Sequence, residues 1–255
     1  MEYAKINYSV DDGVAIIALD SPKNMNAIDG TLIGELIDAF NVASADNAVH
    51  AILLNSTGRA FCGGGDLGVM YEGIKAGRID FADQMSDAAL VMKAMKTSPK
   101  PVIGAVNGAA AGAGFLLALG CDYVIADDRA SFICAFVNVG LVPDTGGVYV
   151  MARALGASKT AELAMTGRPV TAEEAKGLGF VAEVVAPEDL AEKSMKVAKR
   201  FAKGPALAYA KTKELIYRSQ FSDFGSYIPS EVEAQVACMD TQDFRNRVIS
   251  FVEKK

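Results

Sequence analysis

The chain of 255 residues holds a single histidine, His50, at the start of an apparent strand. With one imidazole and no cluster of thiols, a His-rich metal site is excluded. A Ser-His-Asp triad would have to draw its base from that one plain structural context, which argues against it. The four cysteines, Cys62, Cys121, Cys134 and Cys238, are scattered and form no C-x-x-C pair. Reduced thiols in a cytoplasmic protein are therefore expected, rather than disulfides or zinc. Basic runs are missing as well, and the net charge is −6, so neither nucleic acid nor an anionic membrane is expected as the main partner. The start, MEYAKINYSV, has no basic segment followed by an apolar one, and no signal peptide is expected.

No linker divides the chain, and about half its residues are apolar, enough for one large packed α/β domain or a domain with a small appendage. One stretch, residues 102–121 (VIGAVNGAAAGAGFLLALGC), is uncharged and long enough to span a bilayer. Asn107 and five glycines interrupt it, and helix signals begin only near Ala109. A strand KPVIGAVN followed by a buried, alanine-rich helix explains it better.

Along the chain, short apolar strands alternate with helices. YAKINYSV and GVAIIALD, separated by Asp11-Asp12-Gly13, read as a hairpin. After the loop SPKNMNAIDG, Leu32, Leu36, Ile37 and Phe40 mark one face of a helix over Leu32–Ser44. Strand HAILLNS, the loop GRAFCGGGDLG and two helical segments follow, until Pro99-Lys100-Pro101 stops them near Thr97. KPVIGAVN, a helix over 110–120 and strand CDYVIA come next, then a β-rich stretch ASFICAFV, the turn GLVPDTGG and a helix over 147–155. Thr171 and Glu174 form a capping box before AEEAKGLG, FVAEVVA is a last strand, and from about Glu188 the pattern is helical.

Two glycine-rich segments carry the chemistry. In GRAFCGGGDLG (58–68), three successive glycines leave backbone amides uncovered just before a helix, where N–H groups can meet an oxygen bearing negative charge. Gly63, Gly65 and Gly68 also satisfy G-x-G-x-x-G. Against a dinucleotide site stand the distance of this loop from its strand, Asp66 facing any pyrophosphate, and the helical context of Asp83 and Asp87. In NGAAAGAGFLLALGCDYVIA (107–126), small residues suit a tightly packed core helix, and Gly112 and Ala113 fall in a first turn whose N–H groups are unpaired.

RAFCGGGDL, followed some forty residues on by KPVIGAVNGAAAGAGFLLALGCDYVIA, resembles the two signature stretches of the enoyl-CoA hydratase/isomerase (crotonase) family. SPKNMNAI resembles that family's CoA-binding loop, and GLVPDTGG followed by AMTGRPVTAEEAKGLGFVAEVV continues in family order, so the likeness covers nearly the whole chain. It implies an α/β fold, a crotonase-like spiral of ββα repeats over residues 1–195, with a C-terminal helical trimerisation region over 196–255. A homotrimer or dimer of trimers is implied with it. It also implies an acyl-CoA thioester substrate, with no separate cofactor because coenzyme A is part of that substrate. By position, the amides of Gly65 and Ala113 would form an oxyanion hole; many relatives have glycine where Ala113 stands, but the amide is retained. Asp66 would fix its loop. Met25 and Ala27 would touch the CoA moiety, and Gly63, Gly64 and Leu67 would flank the thioester, with Gly112 and Val139 nearby.

Hydratases of this family move protons with two glutamates. Their positions are occupied here by Leu116 and Phe136, which neither orient water nor give up a proton, so ordinary hydration is put in doubt. Asp144, in Pro143-Asp144-Thr145-Gly146-Gly147, matches the place where some isomerases of the family carry their catalytic acid. Asp after Pro and just ahead of the glycines is equally a common turn residue. Cys62, with no histidine beside it, reads as a packing residue. Phe81, Met85, Met92 and Met95 suit either an acyl pocket or ordinary core, and Phe251, Lys254 and Lys255 either the adenine end of CoA or a solvated basic terminus. An enoyl-CoA isomerase is the favoured reading. A hydratase or other lyase or hydrolase of the family, and a non-catalytic acyl-CoA binder, are the alternatives.

Overall fold

The computed structural model describes residues 2–77 and 82–254. The chain opens on a hairpin of β1 (Ile6–Asp11) and β2 (Val14–Leu19), whose two-residue turn has φ of 48° at Asp12 and 79° at Gly13. That backbone matches the twist of the strands it joins. Three successive strand pairs follow: β3 (Ala51–Ser56) with β4 (Ala60–Cys62), β5 (Val102–Val106) with β6 (Ala109–Ala111), and β7 (Tyr123–Asp127) with β8 (Ser131–Ile133). β9 (Pro169–Thr171) and β10 (Glu183–Val185) complete the set. The first member of each pair joins a six-stranded sheet, β1-β2-β3-β5-β7-β10, parallel apart from the hairpin; the second joins a four-stranded sheet, β4-β6-β8-β9. Each turn of chain thus adds one strand to both sheets. This is the ββα spiral.

Helix α1 (Gly30–Ala45) begins two residues before the expected Leu32, because the Asp29 side chain accepts the Leu32 N–H as its cap. Helices α2 (Leu67–Lys75) and α3 (Ala82–Thr97) follow β4, and α4 (Ala113–Gly120) follows β6. α5 (Gly147–Leu155), α6 (Ala157–Thr166) and α7 (Ala172–Gly177) lead into the helical layer of α8 (Leu190–Ala202), α9 (Ala206–Gln220), α10 (Phe224–Met239) and α11 (Gln242–Glu253). Along β3 the side chains alternate: Ile52 and Leu54 enter the main core with Leu36 and Phe40 of α1 and Met92 and Met95 of α3. Ala51 and Leu53 face the other way, with Ile103, Ala105 and Ile125, to meet Leu190, Val197 and Ala198 of α8. The boundary expected at 195 therefore falls inside a helix that covers the large sheet, and the core runs through α8.

Two further expectations change. The helix expected over 110–120 starts at Ala113, since Ala109–Ala111 are taken into the small sheet between β4 and β8. The strand expected through Val137 stops at Ile133, opposite Pro169, whose missing N–H ends the ladder; residues Ala135–Val139 wind into a 3-10 turn. The apolar run 102–121 is thereby divided among β5, β6 and α4, and among the described residues no helix is long and apolar enough to cross a membrane.

The small sheet decides what meets what. β4, β6 and β8 are parallel neighbours, so their C-terminal ends lie side by side and release three loops at one place. The fit there is close: a Cβ on Gly114 would lie 2.4 Å from the Cys62 carbonyl oxygen and 2.7 Å from the Cys62 Cβ. Gly114→Ala must push α4 off β4, and a loss of about 1–3 kcal/mol is expected from chemical denaturation, with unchanged secondary structure by circular dichroism.

Candidate active site

A cavity of about 350 Å³ opens where the three loops meet, and Gln235 of α10 and Phe251 of α11 contribute to its lining. Its first wall is Gly63–Leu67. The preceding loop is pinned by Asn26, which is fully buried: its Oδ1 accepts the Ser21 N–H at 2.7 Å, and its Nδ2 donates to the carbonyls of Thr57 and Ala60 at 3.0 Å and of Phe61 at 3.2 Å. The pinned loop presents Met25, in the left-handed region at φ 59°, with its carbonyl accepting the Gly63 N–H. Ile28 donates to the Gly64 carbonyl at 2.7 Å and accepts from the Asp66 N–H at 3.0 Å. A residue bridged in this way on both flanks turns its own N–H to the opposite side, so the Gly65 N–H faces the cavity.

The second wall comes from the end of β6. Gly112 donates to the Ile133 carbonyl at 2.8 Å, and Ala113 is the first residue of α4, where no intrahelical acceptor exists for its N–H. Among the described residues, neither the Gly65 nor the Ala113 N–H reaches a protein acceptor. The two walls are in backbone contact: a Cβ on Gly64, which has φ of 87°, would stand 2.7 Å from the Ala111 oxygen. Beside them Cys62 is fully buried and donates to the Asn26 carbonyl; burial pushes its thiol up to about 12, so it stays protonated.

Three carboxylates line the cavity, in three different situations. Asp66 caps α2, accepting the N–H groups of Gly68 at 2.9 Å and Val69 at 3.3 Å. Asp29 caps α1 and pairs with Lys5 at 2.6 Å; partial burial works against ionisation, but Lys5 and the helix amides outweigh it and hold its pKa below the usual value. Asp144 has only neutral partners. Its Oδ1 accepts from the Thr145 hydroxyl at 2.9 Å and its Oδ2 from the Gln235 amide at 3.1 Å. Loss of water around it dominates over both bonds and raises its pKa to about 6. Behind it, Glu231 of α10 is buried. Its Oε1 accepts the Gly146 N–H at 2.7 Å, while its Oε2 has no partner in bonding geometry among the described residues. Burial, and then the nearby Asp144, push Glu231 up to about 8, against the opposing pull of the Gly146 and Gly147 amides and the Tyr227 hydroxyl. Among the described residues, no three His, Cys, Asp or Glu side chains gather into a metal-sized group.

Residues 9–255 match the sequence model of the enoyl-CoA hydratase/isomerase family. This chain belongs to that family. It is 37% identical to the trans-2-decenoyl-[acyl-carrier-protein] isomerase of Streptococcus mutans, over all of this chain and 97% of that one. It is 30% identical to the 1,2-epoxyphenylacetyl-CoA isomerase of Escherichia coli, over 96% and 94% of the two chains. The crystal structure of an enoyl-CoA hydratase from Bacillus halodurans superposes with a TM-score of 0.89 at 27% identity, covering 97% of this chain and all of that one. The Bacillus halodurans enzyme carries the crotonase fold that the strand pairs describe.

Of the residues singled out in this enoyl-CoA hydratase/isomerase sequence, Met25, Gly63, Gly64, Gly65, Asp66, Leu67, Gly112, Ala113, Phe136, Val139 and Asp144 line one cavity. Leu116 and Ala27 do not. Leu116 lies one turn into α4, fully buried, with its Cδ1 2.9 Å from where a Gly147 Cβ would stand; Ala27 is buried beneath the Met25 loop. Met85 and Phe251 reach the cavity, whereas Met92 and Met95 are core. Phe81 and Lys255 lie outside the described residues. Asn26, Glu231 and Gln235 escaped sequence reasoning. The two on α10 sit four apart at buried positions of the helix, beside Phe224 and Met239, a burial that only the structure shows.

The raised pKa of Glu231 has a consequence for stability. An unfolded glutamate ionises near pH 4.3, whereas the folded group stays protonated to about 8, so the native state binds more protons between those limits and stability falls there as pH rises. Glu231→Gln keeps an acceptor for the Gly146 N–H and cannot ionise. Its melting temperature is expected to gain on the wild type steadily from pH 5 to pH 8, by an equivalent of at most about 1.4 kcal/mol per pH unit.

Proposed function

We propose that the protein is an enoyl-thioester isomerase in which Asp144 moves a proton between two carbons of the acyl chain. The observation that carries this reading is the contrast among the three cavity carboxylates. Asp29 and Asp66 are engaged as helix caps, whereas Asp144 caps no helix and is held by a hydroxyl and a side-chain amide, with a pKa raised to about 6, suited to taking and returning a proton near neutrality. The thioester oxygen sits between the Gly65 and Ala113 amides, each contributing on the order of 3 kcal/mol to the enolate, as oxyanion donors do elsewhere. With a 3-enoyl thioester, the carboxylate removes a proton from C2, and the electrons pass into the carbonyl to give a dienolate. The carboxyl group then returns its proton to C4, leaving the double bond between C2 and C3.

Water is given no part. The Phe136 ring stands beside Gly112, within about 4 Å of where a Cβ there would be, and Leu116 is sealed behind the wall. At the two positions where the family's hydratases carry glutamates, one apolar ring thus faces the cavity and one apolar side chain lies outside it. Coenzyme A is the carrier named in the family's description. The Streptococcus mutans relative is an isomerase of a decenoyl chain on acyl-carrier protein, so both carriers belong in the assay. Asp144→Asn keeps the size of the side chain but cannot accept the proton. Conversion of 3-enoyl to 2-enoyl thioester is expected to fall by ~10²–10⁴, together with solvent-deuterium exchange at C2, while thioester affinity by calorimetry stays within a few fold. A folded variant with full turnover, or hydration as the main activity of the wild type, would overturn the proposal.

The family resemblance also supports assembly as a trimer or dimer of trimers. Leu207, Leu215 and Ile216 of α9 are at least half exposed in the single chain, apolar surface that an oligomer interface would cover. Sedimentation at micromolar concentration is expected to give a trimer or hexamer, and a stable monomer would contradict it.

A further inference from the structure

We infer that α10 is a clamp on the Asp144 loop, with Gln235 as the positioning residue that fixes the Asp144 carboxylate and Glu231 as the anchor of the peptide beyond it. The inference rests on the reading of Asp144 as the proton carrier. Gln235 and Glu231 stand one helical turn apart on the same face of α10. Between them they hold three alternate residues of one loop. Gln235 Oε1 accepts the Val142 N–H at 3.0 Å, Gln235 Nε2 donates to Asp144 Oδ2 at 3.1 Å, and Glu231 Oε1 accepts the Gly146 N–H at 2.7 Å.

The pattern leaves the Gln235 amide one orientation. Its oxygen must meet the Val142 N–H, so its nitrogen faces Asp144 and can only donate. The side chain is fully buried, with both ends in use, so it has no solvent in which to turn. Thr145, held at φ 61°, supplies the second donor from the other side of the carboxylate. One side-chain hydrogen bond on each oxygen thus fixes the orientation of the carboxylate at the cavity wall. Each bond also favours the ionised form, offsetting part of the cost of burial. The other titratable groups that interact with Asp144 are Glu231 on α10 and Cys134 just after β8, neither of them a cation. The neutral donors are therefore what keeps Asp144 available as a base.

Gln235→Glu separates the two halves of the amide. It keeps the volume and the acceptor for Val142 and, once ionised, sets a second carboxylate against Asp144 in place of the donor. Gln235→Met removes both bonds and is the companion should the first variant fail to fold. The Asp144 titration is followed by carboxyl ¹³C NMR, assigned by difference from Asp144→Asn, alongside kcat and KM on a 3-enoyl thioester. The Asp144 midpoint is expected to rise from about 6 by one pH unit or more in Gln235→Glu, and to rise also in Gln235→Met. At pH 7, kcat is expected to fall at least tenfold in both, with KM within threefold. A folded variant with an unmoved midpoint and wild-type kcat overturns the clamp. Undiminished turnover in Asp144→Asn would instead overturn the isomerase reading, and the NMR midpoint would still decide the clamp, because it does not depend on turnover.

Discussion

Two backbones can approach within contact distance only where no side chain stands between them, and the site is built on such an approach. The end of β4 and the end of β6 meet with Gly64 against the Ala111 carbonyl and Gly114 against Cys62. A single methyl group at either place would have to occupy space already held by main chain. Because the gap is closed, the amide of Gly65 and the first amide of α4 open onto one cavity, and the parallel pairing of β4, β6 and β8 brings the Asp144 loop to the same edge. The dipole of α4 and the uncovered amides then act on the same small volume.

Electrostatics sorts the carboxylates that share this volume. Chemically Asp29, Asp66 and Asp144 are the same group, yet two are tied down as helix N-caps by main-chain N–H groups. The third lies half-buried in the cavity wall, and its donors are a hydroxyl and an amide. Burial then wins over hydrogen bonding, and the proton is held some two pH units more tightly than in an ordinary aspartate. Cys62, buried in the same wall, shows the same force acting on a thiol that has no chemical work.

The C-terminal helices complete this arrangement from the far end of the chain. α10 packs against α3 and, through Glu231 and Gln235, against the loop that begins α5, while α11 lies on α2 and on the 3-10 turn after β8. The helical layer is therefore part of the site's wall. Burying a glutamate and a glutamine on α10 costs desolvation. That cost is offset for Gln235, whose polar atoms at both ends are bonded, and only partly for Glu231, whose second oxygen is left without a geometric partner.

The sequence by itself determined the alternation of strands and helices, the hairpin turn at Asp12-Gly13, the cap at Thr171 and the two glycine segments, since each follows from local propensity or from short-range pattern. Motif order along the chain was enough to identify the family. It also brought out Gly65, Ala113 and Asp144 as candidates, though it could not say that they open onto one cavity. Only the tertiary structure decided where the ladder of β8 stops, because its partner Pro169 lies far along the chain, and that Leu116 turns away while Phe136 turns in. Asn26, Glu231 and Gln235 were beyond reach for the same reason: a buried polar side chain is defined by the groups it bonds. Those groups, at Phe61, Gly146 and Asp144, are 35, 85 and 91 residues away in sequence, where no local pattern can register them.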